Sequence, residues 1–192
     1  MESLTAARLS TDGRIKNVRA DHTARYEWAA ERTEGHVIDA GCNCGYGAAM
    51  LADAGLIVTA FDYWFQGLEY ARRHYARPGI TWVKADFEGV FEFPTTGAVV
   101  AFEVIEHLAD PRPLLVEARR VAGRLFASVP NEDVWPWEPR LGPVHKRHYT
   151  RAQLEALLVE CGWTVTGWWG QAGGESPVEP EVHGRTLVVE CR

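Results

Sequence analysis

From residue 36 onward the chain alternates short apolar runs with longer amphipathic ones. The apolar runs, His36–Ala40, Leu56–Phe61, Ile80–Lys84, Ala98–Phe102 and Arg124–Val129, read as strands. Between them, Tyr46–Ala54, Trp64–Ala76 and Pro111–Val121 carry helical spacing, and a further helix is predicted over Asp21–Arg32, with Ala24, Trp28 and Ala29 on one side. Continuous apolar strands alternating with helices specify a parallel sheet covered on both faces.

Local punctuation supports these elements. Asp110 can cap the helix that Pro111 opens, and Gly123 can end it. Thr150-Arg151-Ala152-Gln153 has capping-box spacing ahead of Leu154, Leu157 and Leu158, with Gly162 as the stop. Two more strand candidates, Thr164–Trp168 and Thr186–Glu190, flank a stretch holding Gly170, Gly173, Gly174, Pro177 and Pro180. With no crossover helix between them, these two can only pair antiparallel. The expected fold is α/β with three layers: a mostly parallel seven-stranded sheet, a C-terminal antiparallel hairpin, and helices on both faces. Residues 1–20 read as a flexible arm and 21–192 as one domain.

Composition narrows the class. Hydrophobic residues make up 46% and charged residues 24% of 192, as in ordinary globular proteins. The N-terminus lacks the apolar segment of a secretory signal, and no run is long enough to span a bilayer, so the expectation is cytoplasmic, with no membrane partner. The net charge of −6 argues against broad nucleic-acid binding but leaves a local basic patch at Arg140, Lys146, Arg147 and His148. Cys42, Cys44, Cys161 and Cys191 do not form the paired spacing of a zinc knuckle. Five of the eight tryptophans lie in the C-terminal third, and Trp135-Pro136-Trp137 falls in a loop over Glu132–Pro143 that reads either as a lid or as a packed surface loop.

The chemistry begins at Val37-Ile38-Asp39-Ala40-Gly41-Cys42-Asn43-Cys44-Gly45-Tyr46-Gly47, a glycine-rich turn from strand into helix. Glycines there let the backbone turn sharply and let a ligand approach closely. In a doubly wound sheet this crossing lies beside the point where nucleotides bind. Counting GxGxxG from Gly41 puts Asn43 at the second glycine and Tyr46 at the third, which supports a pyrophosphate cradle poorly. Asp62 ends the second strand, where an acid can accept hydrogen bonds from a ribose diol. Asp86 ends the third, with Phe87 beside it to pack on a flat base.

These motifs resemble those of the class I, Rossmann-like S-adenosylmethionine methyltransferases. The likeness runs through Asp39–Gly47, Ala60-Phe61-Asp62, Lys84-Ala85-Asp86, Phe102–Leu108, Ser128-Val129-Pro130-Asn131 and His145–Thr150. It implies S-adenosylmethionine as cofactor, with Gly41, Asn43 and Gly45 along its methionine part, Asp62 on the ribose, and Asp86 with Phe87 on the adenine. Asp39, Cys42, Tyr63, Phe102 and Glu103 complete that lining. His22, Arg25 and Tyr26 fall where such enzymes carry a helix over the cofactor.

Glu103, Glu106 and His107 follow the fourth strand, and a helical turn starting there would put all three on one face. Two uses compete. His107 can act as a general base toward a substrate hydroxyl, with Glu103 or Glu106 orienting the imidazole or the cofactor. Alternatively Glu103, Glu106, His107 and His145 hold a divalent metal, for which Mn, Fe, Co or Zn suits the donor set better than magnesium. The set resembles that of ubiquinone-pathway O-methyltransferases and of small-RNA 3′-end 2′-O-methyltransferases. His148 and Tyr149 read as packing or rim residues. The resulting expectation is O-methylation of a small-molecule hydroxyl by a monomer or homodimer. An RNA 2′-O-methyltransferase and a non-catalytic cofactor-binding protein stand as alternatives.

Overall fold

In the computed structural model, which describes residues 18–138 and 145–192, the apolar runs become strands of one sheet. The elements are α1 (Ala20–Ala30), β1 (His36–Ala40), α2 (Tyr46–Asp53), β2 (Ile57–Asp62), α3 (Phe65–His74), β3 (Ile80–Lys84), β4 (Ala98–Phe102), α4 (Arg112–Val121), β5 (Arg124–Pro130), α5 (Arg151–Glu160), β6 (Val165–Gln171), β7 (Glu179–Pro180) and β8 (Thr186–Cys191). Among the described residues they form an eight-stranded sheet in the order β3-β2-β1-β4-β5-β8-β6-β7. β3 to β5 run parallel, and β8 pairs antiparallel with both β5 and β6. The eighth strand is the addition to the expected seven. β7 is two residues on the outer edge, paired through Trp169↔Pro180 and Gly170↔Glu179. Two residues leave no periodicity to read, and an edge tolerates Pro180.

Neighbouring residues on a strand point to opposite faces, and both faces here are apolar. Val37, Val58, Ala60, Val100 and Phe126 pack under α1, α2 and α3 through Trp28, Ala29, Ala48, Leu51 and Leu68. Ile38, Phe61, Val99, Ala101 and Leu125 pack on the other side against Leu114, Leu115 and Ala118 of α4 and Leu154 and Leu158 of α5. Truncating one of these buried leucines to alanine costs about 2–5 kcal/mol.

The predicted stops hold in part. Thr150 caps α5 in a full capping box, and Gly162 ends that helix at φ +85. Asp110 Oδ1 accepts the Arg112 amide at 3.1 Å. α4, however, ends by returning to extended backbone at Ala122, and Gly123 is not left-handed, so no glycine cap operates there. No helix among the described residues is long and apolar enough to cross a membrane.

The register lines up the carboxyl ends of the parallel strands: Ala40 opposite Phe61, Asp62 opposite Lys84, and Phe102 opposite Ser128. Sequence order reverses between β1 and β4, the position at which open α/β sheets bind their ligands.

Candidate active site

The turn after β1 is held by backbone groups. Gly41 and Cys42 both donate to the Phe61 carbonyl, at 2.8 and 2.9 Å. Gly41, Asn43 and Gly45 have φ of 84, 50 and 92, the left-handed region that glycine enters freely and asparagine tolerates. Space also enforces glycine: a Cβ on Gly41 would strike Val104, and one on Gly45 would strike Ala71 and Trp82. Asp62 pins the turn from β2, its Oδ2 accepting from Asn43 N at 2.7 Å and its Oδ1 from Trp64 N at 2.8 Å. Burial raises the Asp62 carboxyl, and those amides pull against the rise. Each oxygen keeps a second lone pair for a diol.

The other residues expected to line the cofactor divide by exposure. Asp39 is fully buried, accepts from the Tyr26 hydroxyl at 3.1 Å, and is pushed by burial to about 7. Cys42 and Cys44 are buried thiols, with Cys44 pushed up to about 11, the opposite of an activated nucleophile. Phe102 packs edge-on against Tyr26 with ring centres 5.2 Å apart. Tyr63 is exposed. Asp86 is exposed and accepts the Glu88 amide, while Phe87 is buried among Phe91 and Phe93. On α1, His22 Nδ1 meets the Tyr46 hydroxyl at 2.9 Å, and burial followed by the Arg25 charge holds His22 down to about 4.

The second corner, after β4, is built from charged side chains. The single face expected for Glu103, Glu106 and His107 does not form. Glu103 is left-handed at φ 55, and only a 3-10 turn over Ile105–His107 follows. Glu103 therefore points elsewhere: Oε1 accepts from Ser128 Oγ at 3.0 Å and faces Arg25 Nη1 at 3.8 Å. Burial works against its charge, but Arg25, His22 and Ser128 outweigh it and hold the carboxyl below its usual range. Arg25 is itself 1% exposed and donates to Gln171 Oε1 at 2.8 Å.

Glu106 is fully buried, and neither of its carboxylate oxygens accepts a hydrogen bond. Burial, then the Glu103 charge, pushes it well above the usual carboxylate range. Its donor atoms and those of His107 and His145 lie within 4.8 Å of one another. The two imidazoles meet edge-on at 4.7 Å, and the Lys146 amide ties the second segment to the Glu106 carbonyl at 2.8 Å. Burial, then His107, holds His145 down to about 4, so it is a neutral donor at neutral pH.

Of the four residues expected at a metal, three converge and Glu103 turns to Arg25. One carboxylate and two imidazoles suit a borderline divalent cation, and a buried acid with two bare oxygens fits a positive partner. The glycine cradle and Asp62 fit the methionine and ribose parts of S-adenosylmethionine. Sequence reasoning passed over Ser128 and Gln171. Ser128 lies in a motif already noted at the end of β5, whereas Gln171 carries no local signal. In the expected basic patch, Lys146 is exposed and Arg147 donates to the Leu108 and Ala109 carbonyls, while Arg140 and residues 139–144 lie outside the described residues.

A doubly wound sheet with this turn, these acids and an antiparallel C-terminal pair defines a class of nucleotide-type cofactor enzyme, and comparison with known proteins identifies it further. The methyltransferase domain family matches residues 38–124. A probable S-adenosylmethionine-dependent methyltransferase of Mycobacterium tuberculosis (strain H37Rv) is 32% identical over 97% of this chain and 70% of its own length. The ubiquinone biosynthesis O-methyltransferase of Methylocella silvestris is 32% identical over 65% of this chain and 57% of its own. Among solved structures, the CcbJ methyltransferase of Streptomyces caelestis superimposes with a TM-score of 0.75 at 15% identity, covering 90% of this chain and 95% of that one, a likeness of fold. The chain belongs to the S-adenosylmethionine-dependent methyltransferases.

Proposed function

We propose that this enzyme methylates a hydroxyl oxygen of a small molecule, with Glu106, His107 and His145 activating that hydroxyl. The observation that carries this reading is the convergence of those three donors around the bare, buried carboxylate of Glu106. When bound between the glycine turn and Asp62, S-adenosylmethionine supplies a methyl group already activated on a sulfonium. The protein's task is then alignment, exclusion of water and removal of the hydroxyl proton. In this reading His107 and His145 receive that proton or share a divalent cation with Glu106. Such a cation supplies charge that lowers the pKa of a coordinated hydroxyl. Glu103, held ionised by Arg25 and Ser128, orients the cofactor side of the site.

Two observations support a small acceptor. The relatives named ubiquinone biosynthesis O-methyltransferases share this stretch of chain, and the Arg147 guanidinium is spent on carbonyls instead of facing a phosphate. The test is a methyl-transfer assay on a panel of phenols, catechols and short RNAs, before and after exhaustive chelation. Activity on a catechol that falls on chelation and returns with Mn, Co or Zn is expected. Full activity after chelation removes the cation, and full activity in His145→Ala removes the whole assignment. Transfer only to RNA replaces the acceptor class.

A further inference from the structure

His148, three residues beyond His145, has a fully buried side chain. Its Nδ1 lies 2.6 Å from the carbonyl oxygen of Trp135. A carbonyl can only accept, so the proton of a neutral His148 sits on Nδ1 and its Nε2 is bare. That bare nitrogen lies 2.9 Å from Nδ1 of His145. His145 must then carry its own proton on Nδ1, which leaves its lone pair on Nε2. We propose that His148 is a positioning residue of the reaction: it passes the polarity of the Trp135 carbonyl to His145, selecting the tautomer whose Nε2 lone pair serves the cluster with Glu106 and His107.

The anchor for this relay is the tryptophan segment. Trp135 N donates to the Asn131 carbonyl at 2.8 Å, and Asn131 is itself fixed through its side-chain amide to the Gly184 carbonyl at 2.9 Å. Trp137 Nε1 donates to the His145 carbonyl at 3.1 Å. The Trp135 ring lies against His148, 4.8 Å between centres, and under the Arg185 guanidinium at 4.3 Å. The described part of this loop thus grips the backbone at His145 and the ring at His148, and its work is to orient an imidazole. Groups that hold the second nitrogen of a ligating or basic histidine commonly affect affinity or activity about 10–100-fold.

The inference rests on the assignment of His145 to the hydroxyl-activating site, and the test separates the two. Long-range 15N–1H spectra of the histidine-labelled full chain report each tautomer directly. His145 is expected as Nδ1–H in the native protein and as Nε2–H, the form imidazoles favour in water, in His148→Phe. His148→Gln offers an oxygen to His145 and an amide proton to Trp135, and should restore the native pattern. Cobalt(II) chloride alone, followed by visible absorption, should bind about 10–100-fold more weakly to His148→Phe and regain affinity in His148→Gln. An unchanged His145 tautomer in a folded His148→Phe overturns the relay. A changed tautomer with unchanged cobalt affinity overturns its consequence. If the native protein shows the Nδ1–H tautomer but binds no cobalt, the cation reading falls, while the relay stands as the orienter of a base.

Discussion

Two turns leave the same end of the sheet and are built by opposite means. The turn after β1 is a backbone structure: three left-handed residues, two amides on the Phe61 carbonyl, and one carboxylate pinning it from β2. The turn after β4 is a side-chain structure whose one left-handed residue, Glu103, is not glycine, and whose acids and imidazole are met by Arg25 of α1, Ser128 of β5 and the imidazole of His145. A backbone cradle takes any ligand of the right outline, which suits a cofactor shared by a whole family. A side-chain cluster is set by individual charges, which suits the step in which one enzyme differs from its relatives. The strain at Glu103, where a non-glycine residue is held left-handed, costs about 1–3 kcal/mol and falls at the junction of the two halves.

The largest expected effect tests whether the corners divide the labour. His145→Ala should lower kcat/KM about a hundredfold or more, with S-adenosylmethionine affinity by calorimetry unchanged; a parallel loss of cofactor binding would break the division. Gly41→Ala is the converse. It forces a side chain into left-handed backbone and onto Val104, and should cost about 2 kcal/mol of stability or more, together with cofactor affinity. Denaturant unfolding and cofactor titration check both.

A third prediction sets buried titrating groups against each other. Asp39 has its folded-state pKa raised to about 7, so the folded state holds the extra proton between that value and the unfolded one near 4. Its contribution is present at low pH and lost as pH rises through about 7. His22 and His145 are lowered to about 4, so the unfolded state binds the extra proton below about 6.5. Their contribution is present above that value and lost as pH falls toward 4. Stability is therefore eroded from both sides, and Asp39→Asn should remove the alkaline side alone. Urea unfolding from pH 5 to 8 measures this; equal slopes in variant and native protein would refute the assignment. The smallest effect is a control away from both corners: Thr150→Ala removes the α5 cap and should cost about 1 kcal/mol in a thermal melt, with catalysis and cofactor binding intact.

Legibility in the sequence follows the same division. β1, β3 and β4 appear at their predicted bounds because each is a short apolar run, buried on both faces in β1 and β4 and half-buried in β3 at the sheet edge. The capping box at Thr150 and the glycine turn are equally local, since their signals lie within a dozen residues. β7 went unseen because a two-residue edge strand has no period. The helical face expected for Glu103, Glu106 and His107 failed because Ser128 and Arg25, distant in sequence, draw Glu103 out of helical geometry.

By itself, then, the sequence determined the alternation of strands and helices, the turn where a cofactor fits, and the residue types able to activate a hydroxyl. Only the tertiary structure decided which of those residues meet. It set Glu106 beside His107 and His145, turned Glu103 toward Arg25, and placed His148 between His145 and the Trp135 carbonyl. The physical reason is range. Backbone conformation and apolar periodicity are written in neighbouring residues, whereas the charge and tautomer of a buried side chain depend on partners that only folding brings within about 3 Å.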